Sequence, residues 1–261
     1  MLVSAWLMIA SVPRPDTEMD SAKVIAEIEA QVNAAMDEAS RAIAFHESWR
    51  PMAYDEELHM RMGNSFAAGT FVVIRQALRR EMLLALLRVW DDQQKSLSLR
   101  RTFEALRIPA VLDALIEKRT KDRTGSNAFD KILAEHIAGS CTDYIEKAGD
   151  LFDKYWKKGE ASHVMQHLHV LRNTMLAHNQ LAPQRVKGKD ARDDEIEAFY
   201  RDTRTIVECL LHAVHATALD MNDTQGVYET YARFFWESVR GESTPGHPSY
   251  RAPFDSTGVE Q

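Results

Sequence analysis

The sequence predicts an all-α protein, an antiparallel helical bundle with additional helices at its N- and C-terminal ends. Glycine and proline are scarce, at 11 and 8 of 261 residues, and 45% of the residues are hydrophobic. Helices need few turn residues and favour unbranched side chains such as Ala, Leu, Glu and Arg, which are abundant here. Apolar residues recur at helical spacing, and no alternating run of β-branched residues predicts a sheet.

The first helix is predicted over about residues 18–47, where an apolar repeat faces acidic residues. Pro51 is expected to end that region, and residues 52–63 to form a connection with one helical turn. Residues 64–92 form the most apolar long segment. A helix that is apolar on most sides is normally central in a bundle, so we expect this one to lie in the core.

Two shorter helices are predicted over about residues 96–106 and 109–121, because Pro109 suits a first helical position. A long helix over 129–158 follows and stops near Gly159.

The next helix, over about residues 160–180, ends before Pro183. Residues 193–221 and 227–240 are predicted as the last two helices, and the final one is rich in aromatic residues.

We expect one domain over residues 17–240, between an N-terminal segment 1–16 and a tail 241–261. The apolar run Leu2–Val12 has no preceding Lys or Arg and is too short to span a bilayer. We therefore expect a docked segment or a misassigned start rather than a signal peptide, and a cytoplasmic protein without a membrane span. The tail is rich in Gly, Ser, Pro and Thr, which favours a disordered or peripheral segment.

Two features limit the classes of chemistry. The formal net charge of −7 gives no overall basic field, so any nucleic-acid binding must be local. The histidine pairs His163/His167 and His212/His215 have metal-compatible spacing but no accompanying set of carboxylates or thiols, so no metal and no cofactor is expected. Cys141 and Cys209 are expected to be reduced, although the sequence leaves a bridge between them open.

One segment carries residues that suit chemistry, namely Arg172, Asn173 and His178. On a helical wheel Arg172 lies inside the apolar face centred on Leu168, about 40° from its centre, and His178 lies at the edge. A guanidinium remains charged, so it belongs on an apolar face only when an anion pairs with it. Two explanations stay open: an ion pair with a carboxylate of a neighbouring helix, or a face that meets an anionic ligand at a cleft or a second protomer.

If Arg172 and His178 act together, their spacing along the helix favours a site shared with a second protomer. Residues six apart on a helix lie about 9 Å apart along the axis and about 120° apart around it. Arg172 and His178 of one chain are thus poorly placed to hold one phosphate. Two such helices around a two-fold axis would bring both pairs to a shared cleft.

At these residues the chain resembles the HEPN superfamily of ribonucleases, whose signature is an Arg, a few residues and then a His, commonly with Asn directly after the Arg. It is also similar to the abortive-infection U branch (AbiU-like) of that superfamily. That similarity covers the apolar helix ending at Leu86–Asp92, the short helix after it, and the motif late in the chain.

The resemblance implies a HEPN-like bundle and a homodimeric endoribonuclease that needs no metal and acts in phage defence or a toxin–antitoxin system. His178 would exchange a proton with the ribose 2′-OH or the leaving oxygen. Arg172 would hold the scissile phosphate, and Asn173 would orient the phosphate or the partner chain's histidine. The products would be a 2′,3′-cyclic phosphate and a 5′-OH.

A basic loop follows the motif. It could supply RNA contacts, although an exposed charged linker remains an equally good interpretation. Its basic residues are Arg185, Lys187, Lys189 and Arg192. Some related toxins carry a Tyr that an antitoxin modifies two positions past the His, where this chain has Gln180, so an antitoxin acting by that route is not supported. The alternative function is a non-catalytic module that dimerises or binds nucleotide or RNA, with Arg172 as a structural ion-pair residue.

Overall fold

The computed structural model describes residues 18–63, 65–93, 97–121, 128–172, 191–243, 245–248 and 250–252. Within these ranges the chain forms nine α-helices and no strand, which confirms the all-α prediction. The helices are α1 (Glu18–Tyr54), α2 (Glu56–Gly63), α3 (Ala68–Val89), α4 (Leu99–Leu106), α5 (Pro109–Lys121), α6 (Ala128–Tyr155), α7 (Ser162–Leu171), α8 (Asp193–His215) and α9 (Met221–Ser238). None of the described helices is long and apolar enough to cross a membrane.

The long helix α1 organises the core. It packs along α3 and also contacts α8 and α9, while α6 packs against α8. Ala35, Ala39 and Ala42 of α1 are buried at helical spacing, and such small side chains allow neighbouring helices to approach closely. On α3 the buried side chains are large, among them Met82 and Leu86, so the second half of this helix lies in the core as predicted, whereas the apolar residues 72–74 in its first half are exposed.

Helix α1 continues beyond Pro51, which the sequence predicted as its end. Pro51 has no amide to donate to the carbonyl four residues earlier, and the helix continues for less than one further turn. The Asp55 amide donates to the Pro51 carbonyl at 2.9 Å, and α1 ends at Tyr54. The Asp55 carboxylate then accepts a hydrogen bond from the Leu58 amide at 3.0 Å, which caps α2.

The sequence predicted one helix over residues 193–221. In the structure α8 ends at His215 and α9 already begins at Met221. Ala216 adopts a left-handed conformation, with φ of 55°, and this stops α8 at His215. The Asp220 carboxylate accepts a hydrogen bond from the Asn222 amide at 2.8 Å and caps α9. No glycine marks this break, because an alanine takes the conformation that glycine usually supplies.

A buried tryptophan at the end of α3 fixes three helices together. The Trp90 indole stacks on Phe152 of α6 with ring centroids 5.2 Å apart, and it lies 5.2 Å from Phe199 of α8. Its Nε1–H donates to Thr203 Oγ1 at 3.0 Å. These contacts anchor the chain immediately before Asp91 and Asp92, so they determine where those two carboxylates lie.

A smaller apolar cluster joins α2, the start of α3 and the end of α9, with Phe71 and Trp236 in edge-to-face contact at 5.8 Å. The chain after α9 packs beside it. Gly241 has φ of 54°, and a Cβ on it would lie 2.3 Å from the Arg61 carbonyl oxygen, so only glycine fits there. The Phe66 amide donates to His247 Nε2 at 3.1 Å.

Both cysteines are free and buried in the structure. Burial raises the pKa of the Cys141 thiol and of the Cys209 thiol above the ordinary value. A raised pKa keeps a thiol protonated and unreactive, so both side chains are packing residues.

Candidate functional site

Arg172 lies at the end of α7, the helix on which the sequence predicted the motif. Val164, Met165 and Leu168 are the buried residues of α7, as the helical wheel predicts. Arg172 keeps a right-handed helical backbone, with φ of −54° and ψ of −50°, and its amide donates to the carbonyls of His169 and Leu168. The guanidinium is therefore presented from the end of an apolar helix.

Asp91 is the carboxylate that faces Arg172. Arg172 Nη1 lies 3.6 Å from Asp91 Oδ2, and the two side chains are 21% and 20% exposed. The separation is longer than a hydrogen bond, and both groups are accessible from solvent. The ion-pair explanation of Arg172 thus has a partner on the loop that follows α3, at a point that an anionic ligand can reach.

His169 lies beside the same charges. Burial lowers its pKa below the ordinary histidine value, and the positive charge of Arg172 lowers it further, against the opposing charges of Asp91 and Asp92. The imidazole is therefore neutral at neutral pH. A neutral ring beside a guanidinium does not compete with it for an anion.

Asp92 extends the polar cluster towards α4. Its Oδ1 lies 2.6 Å from Arg100 Nε, so consecutive carboxylates pair with arginines of two different helices. Arg88 and Asp92 are four residues apart, a spacing that brings side chains together within one helix. In the structure Arg88 pairs with Glu38 of α1 at 3.3 Å, because α3 ends at Val89 and Asp92 is no longer one helical turn from Arg88.

The other predicted site residues divide into two groups. Arg192 is described and lies at the N-terminal end of α8, where its guanidinium donates to Asp194 at 2.8 Å and its amide donates to Glu195 at 2.8 Å. Its side chain is 64% exposed. The remaining predicted residues lie outside the described residues. They are Asn173, His178, Arg185, Lys187 and Lys189.

Asp91 and His169 are the site neighbours that the sequence did not single out. In the sequence Asp91 is an acid at the end of the helix predicted over residues 64–92, and His169 is a histidine three residues before Arg172. The signal for Asp91 in the sequence was its place in the segment Leu86–Asp92, which carries the resemblance to the AbiU-like branch.

Three of the four histidines considered for metal binding make other contacts. His163 Nε2 bonds to Glu195 at 3.1 Å, His212 stacks on Tyr144 at 4.2 Å, and His215 Nε2 bonds to the Glu29 carbonyl at 3.3 Å. Within the described residues no group of three His, Cys, Asp or Glu side chains is arranged to hold a metal ion.

A second polar cluster is buried between α1 and α8. His46 Nδ1 bonds to Glu47 at 2.8 Å and its Nε2 bonds to Glu197 at 2.9 Å, while its ring stacks on Tyr200 at 4.2 Å. Burial lowers the pKa of His46, but the hydrogen bonds and charges of Glu197 and Glu47 outweigh it, and the net pKa is raised. A charged imidazole that donates to a carboxylate from each nitrogen ties the two helices together.

The comparison with known families matches residues 25–235 to the AbiU2 family of HEPN proteins. No curated protein and no solved structure matches the chain significantly. The match runs from the first buried turn of α1 to the last turns of α9, and it includes Asp91, Arg172 and the segment up to His178. The chain therefore belongs to the AbiU2 family of HEPN proteins.

Proposed function

We propose that the protein is a metal-independent endoribonuclease that acts as a homodimer, with a composite site made from Arg172 and His178. The observation that carries the proposal is the position of Arg172, a partly exposed guanidinium at the end of an apolar helix, inside the family's motif. Family membership supports a role in abortive infection. Phage defence, control by an antitoxin and action in the cytoplasm belong to the same proposal.

RNA supplies its own nucleophile, so the reaction needs no metal-bound water. The 2′-oxygen attacks the adjacent phosphorus and loses its proton to a base, and the bond from phosphorus to the 5′-oxygen breaks as that oxygen gains a proton. His178 exchanges these protons, and Asn173 orients the phosphate or the partner's histidine. Arg172 stabilises the charge that gathers on the phosphoryl oxygens. The products are a 2′,3′-cyclic phosphate and a 5′-OH.

The contact with Asp91 bears on how Arg172 works. The carboxylate lies 3.6 Å from one nitrogen of the guanidinium, and its charge favours the orientations in which the arginine faces α3. A positioned cation contributes more to transition-state stabilisation than a mobile one, because it needs no reorganisation during the reaction. Asp91 is thus a positioning residue in this proposal.

The same ion pair also favours the second candidate function. A non-catalytic helical module that dimerises or binds RNA would keep Arg172 as a structural partner of Asp91. In that case replacing either residue would affect folding, and the protein would not cleave RNA.

The deciding experiment incubates pure protein with single-stranded RNA in EDTA, beside Arg172→Ala and His178→Ala variants. The proposal predicts cleavage by the wild type, a loss of at least about 100-fold in each variant, and cyclic-phosphate ends on the products. Arg88→Ala is the matched control, because Arg88 is also an ion-paired arginine but lies outside the motif. Equal cleavage by all four proteins, or none by the wild type, would reject the catalytic function.

A further inference from the structure

A cavity of about 320 Å³ lies where α4 meets the end of α6, and we name it the Trp156 pocket after its aromatic wall. Four cationic side chains line it, against the two carboxylates of Glu104 and Asp153. The cations are Arg100, Arg107, Lys157 and Lys158. In a chain whose net charge is −7, this excess of positive charge is local.

The four cations differ in how far they are neutralised. Arg107 bonds to Asp153 at 2.7 Å, and Arg100 pairs with Asp92 at 2.6 Å. Lys157 and Lys158 are exposed, and among the described residues no carboxylate lies within ion-pair distance of either ammonium group. Arg100 also lies 3.8 Å from Glu104, so the four cations face three carboxylates, and the remaining positive charge lies on the exposed lysines, where it suits an anionic ligand.

The aromatic wall is rigid. The half-buried Trp156 indole stacks on Phe152 with ring centroids 5.4 Å apart and an angle of 24° between the planes. Phe152 is itself held by its stack on Trp90 in the core. The Arg100 guanidinium lies 5.9 Å from the Trp156 ring centroid. The half-buried indole keeps part of its surface exposed beside the lysine side chains, where a base can meet the ring and its phosphate can meet the cations.

The turn that carries the two lysines has a defined shape. Lys157 has φ of 50°, a left-handed conformation that is uncommon for a residue with a side chain. At Gly159 an added Cβ would lie 2.1 Å from the Asp153 carbonyl oxygen, so the turn closes tightly against the end of α6. The Gly159 amide donates to the Trp156 carbonyl at 2.8 Å. The lysines are thus held on a built turn rather than on a loose loop.

The pocket is continuous with the motif through two ion pairs. Arg100 in the pocket wall contacts Asp92, and the neighbouring Asp91 contacts Arg172. The turn after α6 also leads directly into α7, whose end carries Arg172. The length of α7, about 15 Å, separates Arg172 from the turn, a distance that a strand of a few nucleotides can span.

We infer that the Trp156 pocket binds one nucleotide of single-stranded RNA a few nucleotides away from the scissile phosphate, with the base against Trp156 and the phosphate on Lys157 and Lys158. The identity of the ligand as substrate RNA rests on the proposed function. The pocket binds by stacking and charge, so it holds the nucleotide whether or not cleavage follows. It sets where the strand lies relative to Arg172, and it contributes to binding rather than to bond breaking.

The test measures binding of a short single-stranded oligodeoxynucleotide by fluorescence anisotropy. DNA lacks the 2′-OH nucleophile, so it reports binding without cleavage. Trp156→Ala is expected to weaken binding by about fivefold or more, whereas Trp156→Phe keeps a stacking face and loses less. An abasic strand of the same length is expected to bind more weakly than the base-containing strand, and to bind Trp156→Ala and wild type alike.

The charge is tested with a matched pair of lysines. Lys158→Glu is expected to weaken binding and to lower the slope of log affinity against log salt by about one. Lys131→Glu makes the same change in net charge near the other end of α6, about 36 Å from the pocket along the helix, and is expected to leave binding unchanged. Thermal unfolding of each variant establishes that it is folded.

The outcomes separate this inference from the proposed function. Loss of binding in Trp156→Ala and Lys158→Glu supports the pocket even if the wild type cleaves nothing. In an active enzyme the same variants are expected to raise KM with little change in kcat. Folded variants that bind the strand as tightly as the wild type would overturn the inference while leaving the proposed nuclease intact. Displacement of the strand by micromolar adenosine monophosphate, abolished in Trp156→Ala, would assign the pocket to a free nucleotide and overturn the RNA assignment.

Discussion

Removing the charge of Asp91 separates the structural role of Arg172 from its proposed role in catalysis. The two side chains are about one-fifth exposed and 3.6 Å apart. Exposed ion pairs contribute about 0.2–1 kcal/mol, whereas breaking a fully buried pair costs about 3–5 kcal/mol. A pair of intermediate burial at this distance should show a coupling free energy of about 1–2 kcal/mol.

The assay is a double-mutant cycle with Asp91→Asn, Arg172→Ala and the double variant, each measured by urea unfolding and by RNA cleavage. We expect the free energy of unfolding to show the coupling of about 1–2 kcal/mol. The cleavage rate should fall much further, and by different factors in the two single variants. Arg172→Ala should lower kcat by at least about 100-fold because the phosphate contact is lost. Asp91→Asn should lower it by about 10-fold or less, because it removes only the positioning charge and leaves Arg172 to contact the phosphate.

Equal losses of activity in the two single variants, in proportion to the unfolded fraction, would contradict a catalytic role of Arg172. Arg172 would then act only through folding. Arg88→Ala controls for the loss of an arginine with a 3.3 Å ion pair elsewhere on the surface. It should change stability by no more than about 1 kcal/mol and leave cleavage unchanged.

Three further predictions concern the fold. The pKa of His46 in the folded protein is raised above its ordinary value of about 6.5. Its contribution to stability is therefore complete below that pH and is lost as the pH rises through the folded pKa. Thermal unfolding should show this loss in the wild type and not in His46→Gln. Trp90→Phe removes the bond to Thr203 and leaves a cavity, and urea unfolding should show a loss of about 1–3 kcal/mol, with an unchanged midpoint contradicting the anchoring role. Ser98→Ala removes the cap that accepts from the Arg101 amide at 3.4 Å, and should cost about 0.5–1 kcal/mol by the same measurement, whereas Ser98→Thr should cost less.

The elements with strong local signals were predictable from the sequence. Pro109 at the first helical position defined the start of α5, and the helix runs to Lys121 as expected. The helical repeat of α7 predicted its buried side. The ends of α1 and α8 were not predictable in the same way. Pro51 was accommodated in a last turn, and Ala216 took a left-handed conformation without any glycine to mark it.

The helical wheel identified Arg172 as an arginine that needs an explanation, but it did not identify the partner. The partner, Asp91, lies about 80 residues earlier in the chain, on a loop positioned by Trp90 and its contacts with α6 and α8. Contacts of this kind depend on how three helices pack, and no local pattern in the sequence encodes them. The same is true of the Trp156 pocket, where α4 and the end of α6 come together.

The most direct test of a composite site mixes the Arg172→Ala and His178→Ala proteins after each has been found inactive alone. In a dimer whose sites combine Arg172 of one chain with His178 of the other, each mixed dimer regains one intact site. With random exchange of subunits in an equal mixture, cleavage in EDTA should return to about a quarter of the wild-type level. A mixture as inactive as its components, although mixed dimers have formed, would contradict the composite site.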